Sequence, residues 1–382
     1  AATTFTTAAD NITFATGNIE LANGSNLTVD TGAAGGNITI GEIGGTSVET
    51  VTLDAGTGTT SVGVIGSGTE IGALSIGSAE NGGITLNGAI TTDGVVTLDG
   101  PITLATGAIT ITTADDAINL QGTVDGGQAL TLSSGSAAVT VDGAIGSSTA
   151  LTSLTVNSSG AGTIEITDIG TSSAAGVSGA TAIGNTSTGT LTLDGTVYTT
   201  TGTQTYTAAT GGGNIDITNT AGTTFTTTNT AIAFNTSGVD LANNATTTID
   251  TGTGAGDVTF QGAIETNGSD NDILTVTSGT GTVTFTGAIG ATEELGGLNV
   301  NASSGNGVIT FTSTIGDSGN AGVIGTTSIG NAATSDLNFN STIYKFDGAT
   351  TITAAAGDTI DMGAGAATTF TTAADNITFA TG

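Results

Sequence analysis

The sequence predicts an all-β fold, a parallel β-solenoid, and three observations carry the prediction. Short segments alternate aliphatic residues with Thr, Asn and Asp; turn-forming residues follow nearly every segment; and the chain repeats itself on nested length scales. In order, the segments begin with NITFA (11–15), NIELA (18–22), NLTVD (26–30) and NITIG (37–41). TVTLDAG (50–56), GITLNG (83–88), VVTLDG (95–100) and AITITT (108–113) follow. Period-2 alternation puts one face of each segment inward, and Gly, Asn-Gly, Asp-Gly or Gly-Ser then turns the chain. No stretch has the 3.6-residue period of a helix.

Composition limits the function classes. Of 382 residues 64 are Gly, one is Pro, and none is Cys, His, Trp or Arg; Lys345 is the only basic residue against 32 Asp and Glu, for a formal charge of −31. Phosphate recognition needs Lys and Arg, so the acidity argues against nucleic acid and against anionic lipid as partners. No run of about twenty apolar residues would span a bilayer as a helix, and the sequence shows neither an initiator Met nor a signal peptide. Without Cys there are no disulfides and no thiolate metal sites, which suits an exported protein that dispenses with cross-links, though a cytosolic protein can lack Cys as well.

The repeats are nested. TTFTTAADNITFATGNIELANGSNLTVDTG from Thr3 is tracked by TTFTTTNTAIAFNTSGVDLANNATTTIDTG from Thr223, so that Phe5, Leu21 and Asp30 match Phe225, Leu241 and Asp250 at a displacement of 220. A further 145 residues take Phe225 to Phe370, and residues 366–382 repeat residues 1–17 letter for letter at a total displacement of 365. The expected organisation is a long module (1–220), a short module (221–365) and the start of another period (366–382). The long module is internally duplicated: the 62–107 element recurs at 142–202. GAIGSSTALTSLTVN (143–157) also matches GAIGATEELGGLNVN (287–301), and AGVSGATAIGN (175–185) matches AGVIGTTSIGN (321–331).

Two all-β architectures fit short strands. Tandem β-sandwich domains are the alternative to the solenoid, but each needs a wide core rich in large aromatics, and aromatics are 4% of this chain. A solenoid core is narrow, and stacked rungs about 4.8 Å apart place like residues over like. At roughly 20–25 residues per rung, one period makes about 15–18 rungs and advances on the order of 70–90 Å.

The most frequent local motif is an aliphatic residue followed by Asp-Gly, Asp-Thr-Gly or Asp-Ala-Gly, at Asp30, Asp54, Asp99, Asp142, Asp194 and Asp250. One reading makes these carboxylates a ladder for Ca²⁺. The other makes each an Asx-turn that closes its strand. The Gly-Gly-x-Gly-x-Asp calcium repeat is missing, so no firm metal ligand and no cofactor is assigned; the net charge predicts weak, diffuse cation binding. Threonine arrays such as TTFTT raise ice binding, yet β-branched Thr also suits any exposed strand position, and the runs shift between copies. Asn-x-Ser/Thr sequences, among them Asn11, Asn26 and Asn340, permit glycosylation without demanding it. Catalysis is not expected: the acids repeat at turns instead of clustering once, and no His, Cys or Arg is present to serve as base, nucleophile or clamp. Lys345 reads as a surface residue before it reads as an isopeptide donor.

At GAIGSSTALTSLTVNSSG (143–160) and GTLTLDGTVYTTTGTQTYTAAT (189–210) the sequence resembles giant repetitive bacterial surface proteins, the filamentous-haemagglutinin-like and β-strand-repeat adhesins. The resemblance covers nearly the whole chain but is compositional. It implies a right-handed β-helix, export, and a role in adhesion, aggregation or a cell coat; it transfers no functional residue. The expected function is therefore a structural repeat unit of an extracellular filament or cell-surface protein, with copies of itself as partners, covalently continued or stacked. An adhesin shaft whose face binds a glycan or a partner cell surface is the alternative.

Overall fold

The computed structural model describes residues 2–78, 82–236, 238–268, 271–301, 306–363 and 365–382. Among the described residues the chain is all-β, without helix, and in each unit parallel sheets stack as a β-solenoid; the sandwich alternative is excluded by this parallel register. Two compact units are distinguishable, residues 1–189 and 190–382.

In the first unit one column of strands runs Thr3–Thr6, Leu27–Asp30, Thr50–Asp54, Ala73–Gly77, Val96–Asp99, Ile118–Leu120, Val139–Val141 and Ile164–Ile166, each paired in parallel with the next. A second column runs from Ile12–Glu20 through Ile38–Gly44, Thr59–Ile65, Gly83–Leu86 and Ile102–Leu104 to Val124–Asp125. A third starts at Ile90–Thr92 and continues through Ile109–Thr113, Ala129–Ser133, Ser153–Asn157 and Thr181–Ile183. NITFA and NIELA, expected as separate strands, form the single strand Ile12–Glu20, because a register shift between Phe14 and Asn18 absorbs the Gly between them.

The second unit has three columns throughout. The first runs from Leu191–Leu193 through Ile215–Ile217, Gly238–Leu241 and Ala263–Thr266, then through bridges at Ile289 and Ile315, to Ile343–Lys345 and Thr369–Thr371. The second runs from Val197–Thr199 through Thr223–Thr226, Thr246–Asp250, Ile273–Thr277, Gly297–Val300, Thr327–Ile329 and Thr350–Ala354 to Ile377–Thr381. The third carries Gln204–Thr207, Ile232–Asn235, Val258–Phe260, Val283–Phe285, Ile309–Phe311, Leu337–Phe339 and Ile360–Asp361.

Rung length varies without breaking register: Ile118 lies beside Val139, 21 residues on, and Ile309 beside Leu337, 28 residues on. The extra residues go into the turns. Within the strands, inward residues alternate with partly exposed ones, as at Ala129–Ser133 and Ile273–Thr277, so inward Leu, Ile and Val stack on their own kind. Leu53, Ile76, Leu98, Leu120, Val141 and Ile166 form one such inward row, each at most 1% exposed. In the second unit the third column carries rings. Tyr206, Phe234, Phe260, Phe285, Phe311 and Phe339 stack face to face with centroids 4.9–5.4 Å apart and planes within 18°. That spacing is the rung rise with slight offset.

The GAIG motifs are corners. Ile145 bridges Ile169, and Ile289 bridges Ile315, with both isoleucines fully buried. The glycine after each isoleucine, Gly146 and Gly290, has φ of 68° and 60°. A Cβ there would lie 2.0 Å from the carbonyl oxygen of Gly176 and Gly322 respectively. The GAIG and AGV motifs that align in the sequence are thus each other's contacts within each unit.

Candidate functional site

The six predicted aspartates all terminate or directly follow strands, and they do not converge. Asp30 and Asp54 sit one rung apart in register. Gly77 stands between Asp54 and Asp99 in the same outward row, and Asp142 follows the strand Val139–Val141. Asp194 follows the strand Leu191–Leu193, and Asp250 ends a strand of the second column. Three make the expected Asx-turn: Asp30, Asp54 and Asp250 each accept, on Oδ1, the backbone N–H two residues on, from Gly32 (2.7 Å), Gly56 (2.9 Å) and Gly252 (2.8 Å). Asp194 accepts the hydroxyl of Thr218 at 2.9 Å. Among the described residues no three acidic side chains are grouped to hold a metal ion.

Threonine fills outward strand positions as expected, but its rows are interrupted, and other threonines, among them Thr223, Thr247 and Thr350, are buried. Thr224, Thr248 and Thr275 lie in register and are followed by Asn299, Ser328, Thr351 and Thr378. Lys345 donates from Nζ to the carbonyl of Gly319 at 2.6 Å. Backbone N–H groups of Asn320 and Gly319, and then Lys345, hold the neighbouring Asp317 carboxyl below the usual range.

Two carboxylates have a role that no sequence motif marks. Glu49 is fully buried. Its Oε1 accepts N–H of Gly24 (3.0 Å) and the hydroxyl of Thr46 (2.5 Å), and its Oε2 accepts N–H of Thr46 (2.6 Å). Burial opposes the charge, but the bonds from Thr46, from the Glu49 N–H itself and from Gly24 prevail and hold the carboxyl at about 2. The second unit repeats the device with Asp272, also fully buried, whose Oδ1 accepts N–H of Asn244 at 2.5 Å. The backbone oxygens match as well: Gly72 N–H donates to Glu49 O, and Gly296 N–H to Asp272 O. Each acid ties its own rung to the turn of the rung before. The available sequence signal was VETVTLDAG (48–56) against NDILTVTSG (271–279), displaced by 223 instead of 220.

A third group is electrostatically strained. Asp216, Asp240 and Glu265 point outward from successive strands in direct register. Asp240 Oδ2 accepts Nδ2–H of Asn214 at 2.6 Å. Glu265 Oε2 accepts N–H of Thr292 (3.1 Å) and Glu293 (2.9 Å). Oδ1 of Asp216 is shielded from solvent and has no hydrogen-bond partner among the described residues. Burial raises all three carboxyls above their ordinary range; the Asp240 charge adds to the rise at Asp216 and Glu265, and the bonds from Asn214 and the 291–293 turn oppose it.

No family model matches the chain, and neither a curated protein nor a solved structure matches it.

Proposed function

We propose that the chain is the structural repeat unit of an extracellular filament or giant cell-surface protein, continued end to end by further copies of the same unit. One observation carries the reading. Phe5–Phe14, Phe225–Phe234 and Phe370–Phe379, the three copies of one sequence element, adopt the same edge-to-face geometry, with centroids 5.1, 5.3 and 5.3 Å apart. Each rung is both floor and ceiling for its neighbours, so a sequence that returns to its starting residues in the same local geometry can be extended indefinitely. Continuation also covers strand edges that would otherwise pair with unrelated chains. The acidity and the lack of Cys fit an exported coat or shaft, and the proposal assigns no reaction.

Electron microscopy of a chain carrying two consecutive periods tests it. Unbranched fibres support the reading, and separate compact particles overturn it. The adhesin alternative draws on the outward hydroxyl and amide row from Thr248 to Ser328; saturable binding of this chain to a glycan array would favour it.

A further inference from the structure

The second unit contains a like-charge stack with no cation against it. Asp216, Asp240 and Glu265 occupy one outward row on three consecutive parallel strands, so the strand positions that carry neighbouring carboxylates stand one rung, about 4.8 Å, apart. Like charges directly opposite across strands destabilise a sheet. The groups facing this row bring no positive charge. Beneath it the strand Leu191–Leu193 places Thr192 against the adjacent strand, with Asp194 beyond it. Above it the turn gives Glu265 backbone N–H donors and carries two more acids, Glu293 and Glu294. On the strand of Asp216 itself the neighbouring outward residue is Asn214, already donating to Asp240 Oδ2. Lys345, the chain's only basic side chain, is bonded to Gly319 O. Asp216 Oδ1 is buried without a partner among the described residues, an arrangement that is costly for an anionic oxygen and favourable for a hydroxyl that donates to the next carboxylate.

We propose that the Asp216–Asp240–Glu265 row holds a proton shared between Asp216 and Asp240, making residues 190–382 an acid-strengthened segment of the solenoid. The proton sits on Asp216 Oδ1 and is donated to the free oxygen of Asp240, whose other oxygen keeps its bond from Asn214. No bond other than O–H is made or broken, and the proton comes from solvent. The sign follows from linkage. Carboxyls raised by folding bind protons in the native state that the unfolded chain has already released, so stability falls as pH rises through the raised values and is restored as pH falls toward the unfolded range near 4. Three stacked acids titrate as a set, with apparent values that belong to the row.

Urea unfolding of the full chain, followed by tyrosine fluorescence in EDTA at pH 5 and pH 8, tests the proposal. All three tyrosines, Tyr198, Tyr206 and Tyr344, lie in the second unit, and there is no Trp, so the signal reports that unit alone. The wild-type midpoint is expected to be higher at pH 5 than at pH 8. Asp216→Asn and Asp240→Asn should each raise the pH 8 midpoint and remove at least half of the pH difference; Glu265→Gln serves the same purpose if one of these fails to fold. A pH difference unchanged in every variant overturns the proposal. So does a wild-type midpoint that fails to rise on acidification. If millimolar Ca²⁺ at pH 8 reproduces the acid effect in the wild type and not in Asp240→Asn, the row is a cation site and the proton is not what it holds.

Discussion

Phe225 lies flat on Tyr198, with ring centroids 4.8 Å apart and planes 12° apart, and Phe370 lies on Tyr344 at 4.8 Å and 20°. The upper ring of each pair belongs to a TTFTT copy. The pairs differ in one respect. Tyr198 and Phe225 are in the second column of the second unit, whereas Tyr344 and Phe370 are in the first. Six steps of the second column lead from Thr223–Thr226 to Ile377–Thr381, and Thr369–Thr371 falls one strand short of that. The 145-residue module therefore advances six turns less one strand. A rung with three near-equivalent sides accepts such a fractional step because each side offers the same floor of aliphatic or aromatic residues.

The ring stack predicts the cost of breaking it. Phe285 is 1% exposed and lies between Phe260 and Phe311, at 5.4 and 5.0 Å. Phe285→Ala should destabilise the second unit by about 3–5 kcal/mol, the usual cost of emptying a buried Phe site. Tyrosine-monitored urea denaturation measures it. A loss below about 1 kcal/mol would mean the stack contributes little beyond filling space.

The corner contact predicts a contrast between two glycines. Gly290→Ala meets both a φ of 60° and the oxygen of Gly322 at 2.0 Å, and should cost about 3 kcal/mol as the sum of left-handed strain and overpacking. Gly268 has a φ of 88° with none of the described residues within 4 Å of the added Cβ, so Gly268→Ala should cost only about 1–2 kcal/mol. The same denaturation assay compares them; equal losses would show that the corner yields.

Glu49 predicts an acid limb in the first unit. Its folded value of about 2 lies below its unfolded one, so its contribution is complete above about pH 4.5 and is lost as pH falls toward 2. Glu49→Gln should cost about 1–3 kcal/mol at pH 7 by weakening charge-assisted bonds and should flatten stability between pH 4.5 and 2. Hydrogen exchange at the Gly24 and Thr46 amides, resolved by pH, reads this locally, and an unaltered pH profile in the variant would count against it.

The buried phenols set the alkaline side. Tyr344 is pushed up to about 12 by burial, against a hydrogen bond from Ser341 N–H, and Tyr206 lies well above its usual value through burial and the nearby Tyr198. Folding raises these values, so stability is full below pH 10 and declines above it. Tyrosinate absorbance at 295 nm should appear together with unfolding; gradual ionisation at pH 10 in folded protein would contradict the packing.

Much of the fold was legible because strands have a period of 2 and solenoids stack like on like. The rows VTLD, ITL and LTV reveal both at once, and Asp30, Asp54 and Asp250 form the turns their Asp-x-Gly spacing implied. The candidate sites were less legible. Asp216, Asp240 and Glu265 are 24 and 25 residues apart, and only the rung lengths of the folded chain bring them into one row. Glu49 and Asp272 differ in side-chain length and lie three residues off the repeat's displacement, so alignment by period separates them. The step of six turns less one strand was hidden for the same reason: sequence period counts residues, while the solenoid counts sides.

The central claim is that one period continues into the next in rung register, and engineered disulfides test it most directly in a chain that has no Cys of its own. Lys345 and Thr371 are register partners, as are Thr6 and Asp30, and Thr371 is the counterpart of Thr6 in the repeated segment. In a two-period chain the account predicts that Lys345→Cys with Thr371→Cys closes an intramolecular disulfide on mild oxidation. It predicts the same for Thr371→Cys with Asp30→Cys of the second period, since parallel partners about 4.8 Å apart lie within disulfide reach. Closure of the first pair without the second would contradict the account.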